Sequence, residues 1–150
     1  MGWFRKSRII VDKNGEAIGS EEMKFEGGAD LEEICDHGSH RYIMANELDW
    51  KRFSAICDPL YKEKLGNPVK DVRFFLTLCY IQDLVSLTEE YAIDYLYAGP
   101  DTQYLAGEKT FQKEWAVSPD DLSRWRKQIG EETLQPILRE ISDLAMSIPL

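Results

Sequence analysis

Long apolar runs are missing from this 150-residue sequence. None approaches the roughly 18 residues that a membrane span needs. The start, Met1 to Arg8, carries Arg5, Lys6 and Arg8, but the apolar core of a signal peptide does not follow it. Cysteine is scarce: Cys35, Cys57 and Cys79 are an odd number, widely spaced. That pattern fits free thiols in a reducing cytoplasm better than a disulfide framework. Gly27-Gly28, beside Glu26, has neither a Walker nor a dinucleotide spacing, so no phosphate loop is present. Positive charge is also short. The 18 basic residues face 27 acidic ones, a net charge of -9, which weighs against a polycation of the histone or ribosomal kind. Internal repeats and low-complexity tracts are absent. Nothing in these residues calls for a cofactor, a metal or a membrane, and none is expected.

What is present is a globular composition, 43% hydrophobic and 11% aromatic. A chain of this length can bury roughly 70% of its unfolded surface without a disulfide or metal. Residues 1–33 read as a loosely held arm. Within it Arg8-Ile9-Ile10-Val11 is short and β-branched, Asn14-Gly15 signals a turn, and Glu16 to Ser20 returns as the second limb of a small hairpin. Residues 34–150 read as a helical domain.

The helical periodicity begins at Glu47 and runs to Cys57, where Asp58-Pro59 stops it. Gly66-Asn67-Pro68 forms a turn into a long helix over Val69 to Val85, apolar on most sides and therefore central. Thr88 caps the next helix, with Glu89 and Glu90 against its positive end. A short helix over Asp101 to Ala106 ends at Gly107. Ser118-Pro119-Asp120-Asp121 opens another, with Leu122, Trp125 and Ile129 on one face and Gly130 closing it. Glu131 to Met146 is the last. The fold expected is all-α, a compact bundle of five or six helices with short links and helix-turn-helix-like joints, plus the arm.

Three groups of residues invite a chemical reading. Cys35, Asp36, His37 and His40 lie within six positions and are zinc-capable types, but the paired spacing of a standard zinc module is missing, so a polar turn is the plainer reading. A Cys-His nucleophile in the same place lacks an orienting third group and an oxyanion hole. Carboxylate pairs such as Glu89-Glu90, Asp120-Asp121 and Glu131-Glu132 open helices, and the helix dipole accounts for them.

The helix from Pro119 to Ile129 is the most specific. With its apolar face inward, Ser123, Arg124, Arg126 and Lys127 fall elsewhere, and Arg124 and Gln128 share an exposed face with Lys127. Such side chains suit phosphate and base-edge contacts, although cations near a helix C-terminus are favourable without any ligand. The helices joined at Ser86-Leu87-Thr88 also suit a helix-turn-helix. The second of them carries Glu89, Glu90 and Asp94 and no cation, so it reads as a supporting helix.

Tyr104-Leu105-Ala106-Gly107-Glu108, then Phe111-Gln112, then Ser118-Pro119 and Leu122 through Glu132 resemble the N-terminal domain of bacterial insertion-sequence transposases of the DDE type, the InsH-like group. His40, Leu48-Asp49-Trp50, Phe53, Pro59-Leu60-Tyr61, Pro68 and Leu84 to Glu90 follow that group's order, so the resemblance covers about residues 34–140. Departures are Gln128 in place of a basic residue, Asp120-Asp121 in place of a Ser-rich pair, and Ala106 in place of a cysteine.

The resemblance implies a helical domain that helps recognise terminal inverted repeats in double-stranded DNA. Ser123, Arg124, Arg126 and Lys127 are the expected contacts, with Lys62, Lys64, Lys70 and Arg73 as a second, phosphate-facing set. In that group an RNase H-like Asp/Asp/Glu domain follows and uses two magnesium ions. Only Gly130 to Leu150 follows Ile129 here, so this chain is not expected to catalyse transposition by itself. The other reading open at this point is a protein-interaction or regulatory module derived from a transposase, acting through a homo-oligomer or a full-length transposase.

Overall fold

A computed structural model describes residues 27–61 and 70–149 in full, and the backbone of 9–11 and 17–20. Strand β1 (Ile9–Val11) pairs antiparallel with β2 (Ala17–Ser20), Ile10 facing Gly19. The turn expected at Asn14-Gly15 lies outside the described residues, as do Gly66-Asn67-Pro68.

Eight helices follow among the described residues: α1 (Leu31–Ile34), α2 (His40–Glu47), α3 (Trp50–Cys57), α4 (Val72–Leu84), α5 (Glu89–Ala98), α6 (Pro100–Leu105), α7 (Pro119–Ile129) and α8 (Glu131–Ser147). The architecture is all-α. Two of the eight, α1 and α2, lie where no helix was expected. Glu47 ends α2 rather than opening α3, because Leu48 is extended and the Asp49 side chain accepts from Arg52 N, starting a new helix. Likewise α4 starts at Val72 and not at Val69, since the Asp71 carboxylate takes Phe74 N at 3.2 Å.

The helices pack because α4 is apolar all round. Its nine residues from Val72 to Ile81 that exclude only Arg73 are buried, and α3, α5, α6, α7 and α8 all lie against it. Phe75 stacks on Trp125 of α7 at 5.2 Å and Tyr61 meets Trp125 edge-on. A second, smaller cluster joins Leu31, Cys35 and Phe111. It is closed by backbone pairing: Gly28 N donates to Phe111 O, Phe111 N to Ala29 O and Leu31 N to Lys109 O. Residues 28–33, expected within the arm, are thus held against the helical domain. The anchor is the burial of Leu31, which no local pattern announces.

Candidate nucleic-acid interface

Helix α7 begins with a complete capping box. The Ser118 hydroxyl accepts Asp121 N at 3.1 Å, and Asp121 Oδ2 accepts Ser118 N at 2.8 Å. Pro119 occupies the first turn, and Gly130, at φ 87°, ends the helix in a conformation that favours glycine. Leu122, Trp125 and Ile129 are buried. Asp120, Ser123, Arg124, Lys127 and Gln128 are exposed on the outward side.

The cations expected to touch DNA have different fates. Arg126 lies on the flank of α7 with 18% of its side chain exposed. Its Nε donates to Glu131 Oε2 at 2.7 Å, Nη1 to Gln82 Oε1 at 3.1 Å and Asp83 Oδ1 at 3.0 Å, and Nη2 to Asp83 Oδ2 at 2.9 Å and Glu131 Oε1 at 3.1 Å. Five bonds use all five guanidinium donors. The Glu131 hydrogen bonds, opposed in part by burial, push the Arg126 pKa up, and the same bonds hold Glu131 below the usual carboxylate range. Arg126 therefore joins α4, α7 and α8. With Asp83 and Glu131 beside it, the local charge is negative.

Arg124 is different. Its Nη2 donates to Asp121 Oδ1 at 2.6 Å, and its side chain is 58% exposed. Ser123, Lys127 and Gln128 make no ion pair or hydrogen bond through their side chains among the described residues, and all three are exposed.

The two described members of the second expected set, Lys70 and Arg73, are both engaged within the domain. Arg73 Nε and Nη2 donate to Leu105 O and Tyr104 O, each at 2.9 Å, and the guanidinium lies 4.7 Å over the Trp50 ring. Burial lowers its pKa. It caps the C-terminal carbonyls of α6, where a cation is favourable. A Cβ on Gly107, at φ 95°, would lie 3.1 Å from Arg73 Cδ, so this glycine serves both the turn and the close approach. Lys70 Nζ sits 2.7 Å from Glu108 Oε2, an ion pair in which that buried oxygen accepts no aligned hydrogen bond among the described residues. Lys62 and Lys64 lie outside the described residues.

The Cys35, His37 and His40 group is pulled apart. His37 Nε2 is 2.7 Å from Glu32 O, His40 Nε2 is 2.7 Å from Ala145 O, and Cys35 is buried with its thiol pushed up to about 11 by desolvation. No metal-capable group of three or more His, Cys, Asp or Glu occurs among the described residues. His37 instead stacks on Tyr42 at 4.3 Å, and Tyr42 on Tyr104 at 4.6 Å. The Tyr42 hydroxyl donates to Glu32, which lowers the Glu32 pKa and raises that of Tyr42.

Two features of this region escaped sequence reasoning. The Asp121–Arg124 pair was readable from its i, i+3 spacing. The Gln82 and Asp83 partners of Arg126 lie more than forty positions away, and no local signal could have found them. Gln82, Asp83, Ser86, Leu87, Glu89 and Arg126 line an open cleft of about 380 Å³ next to α7. No helix among the described residues is long and apolar enough to cross a membrane.

No solved structure matches this chain. An uncharacterized protein, ORF8 in the nfe locus of Rhizobium meliloti, is 25% identical over 103 residues, which is 69% of this chain and 49% of that protein. The chain thus spans about half the length of that relative. Residues 29–128 match the family described as Transposase domain (DUF772), a stretch that takes in helices α1 to α6 and nearly all of α7. By that match the chain belongs to the transposase domain family.

Proposed function

We propose that this domain recognises duplex DNA at terminal inverted repeats in transposition, through the outward side of α7. One observation supports the reading above others. Burial of Leu122, Trp125 and Ile129 turns Ser123, Arg124, Lys127 and Gln128 outward together on one rigid helix. A positioned polar helix face of this kind suits base-edge and phosphate contact. Arg126, Arg73 and Lys70 belong to the frame that holds α7 and α6 in place. Lys62 and Lys64 keep their proposed phosphate-facing role.

Asp120 shares the outward side, so the electrostatic gain is small and binding by this chain alone is weak. Three phosphate contacts, from Lys62, Lys64 and Lys127, give a salt slope of roughly -3, against -6 to -9 for a strongly basic domain. Fluorescence anisotropy with a labelled inverted-repeat duplex, at about 50 and about 200 mM salt, tests this. A flat response at the lower salt refutes it.

A second reading has its own support. Leu84 is 51% and Val85 46% exposed at the end of α4, beside the acidic start of α5. On this reading the domain pairs with another copy or with a full-length transposase and does not need DNA. Light scattering separates the two: a strict monomer that joins no transposase removes the second.

A further inference from the structure

Resting on the DNA reading above, we propose that Arg124 is the guanine-reading side chain of α7 and that Asp121 is its positioning residue. The argument begins with a count of donors. Arg126 has none left, because its five N–H groups meet Gln82, Asp83 and Glu131. Arg73 is turned inward to the α6 carbonyls. Arg124 gives one donor to Asp121 and has four more with no partner among the described residues. It is therefore the arginine of α7 able to offer a planar pair of N–H groups outward.

Guanine presents O6 and N7 side by side in the major groove, and an arginine fork meets both. Adenine replaces O6 with an amino donor, which repels that fork. A lysine can also reach both acceptors, but its ammonium is a point charge on a flexible stem and lacks the planar fork, so an arginine held in place makes the more exacting paired contact. Lys127, three positions on and on the same side, suits a phosphate, which a point charge meets without a fixed fork.

Asp121 supplies the rigidity. Its carboxylate is only 24% exposed and is fixed by the capping box through Oδ2, so Oδ1 is a stationary acceptor for Arg124 Nη2 at 2.6 Å. An arginine held this way has already lost much of its rotamer freedom before DNA arrives, and preorganisation of this sort favours binding in the held geometry. The carboxylate that weakens general attraction to phosphates thereby sharpens the choice of base.

The test uses the full chain. A pool of random-sequence duplexes is enriched on the protein, and a guanine is expected at one position of the selected site. Anisotropy then compares the selected duplex with one carrying 7-deazaguanine at that position, which removes N7 alone. The native chain is expected to bind the deaza duplex on the order of tenfold more weakly. Arg124→Ala, which removes every donor at that position, should bind both duplexes alike. Asp121→Asn preserves the cap, because the amide oxygen still accepts Ser118 N, and should lose most of the tenfold preference. Lys127→Ala should weaken both duplexes equally. Duplex binding that ignores N7, or an Asp121→Asn protein that keeps the full preference whatever its overall affinity, overturns this proposal and leaves the DNA reading standing. No enrichment and no binding to any duplex overturns both.

Discussion

Arg126 on α7 grips Asp83 on α4 through two parallel hydrogen bonds, Nη1 to Oδ1 at 3.0 Å and Nη2 to Oδ2 at 2.9 Å. Glu131 closes the other side of the same guanidinium. A residue placed by sequence among the DNA contacts is in fact the joint of three helices. Arg126→Met should cost about 2 kcal/mol, since several charge-assisted bonds are lost but both carboxylates are partly solvated. For a domain of this size that is a fall in Tm of about 4–8 °C, readable by thermal unfolding. Duplex binding should be unaffected.

The same joint predicts an acid limb. Glu131 is held below its ordinary value of 4.5 in the fold. A carboxylate with a depressed folded pKa stabilises above its unfolded pKa, and that contribution disappears as pH falls through the folded pKa. The Tm difference between the native chain and Arg126→Met should therefore be full at pH 7 and shrink below about pH 4. A difference that stays constant down to pH 2 contradicts the assigned pairing.

Asp120 is the exposed carboxylate in the first turn of α7, on its outward side. Asp120→Asn should raise duplex affinity severalfold and steepen the salt dependence, because it removes repulsion from phosphates. Lys127→Ala should do the reverse and reduce the salt slope by about one. Anisotropy over a salt series checks both.

Trp125 stacks on Phe75 and is 1% exposed, with an indole N–H that has no hydrogen-bond partner among the described residues. Trp125→Ala should destabilise by about 4 kcal/mol, a large part of the total stability of a domain this size. Trp125→Phe should cost much less, since it keeps the stack and removes the unpaired donor. Denaturant unfolding of the two variants gives the comparison.

Burial pushes the Cys79 thiol up to about 12 and the Cys57 thiol to about 11, as it does for Cys35. None is a thiolate near neutral pH, and all are buried. Iodoacetamide at pH 8 should label none of the three in the native chain and all three after unfolding, as read by mass spectrometry. Rapid labelling of Cys35 in the folded protein would reopen the nucleophile reading.

The caps at Thr88 and Ser118, the proline at Pro119, the stop at Gly130 and the buried course of α4 were legible because each depends on residues within four positions of one another. Asp49 was equally local, but the apolar groups on both sides of it masked the break between α2 and α3. The strap at residues 28–31 was not legible, because its partners are at 109–111.

Sequence by itself determined the class of fold, the ends of most helices and the polar side of α7, since periodicity and capping act along the chain. Only tertiary structure decided which cations face solvent. Arg124 and Arg126 stand two positions apart with the same side chain. One is left with spare donors and the other has none, because α4 brings Gln82 and Asp83 to Arg126, and contacts across more than forty residues are set by packing.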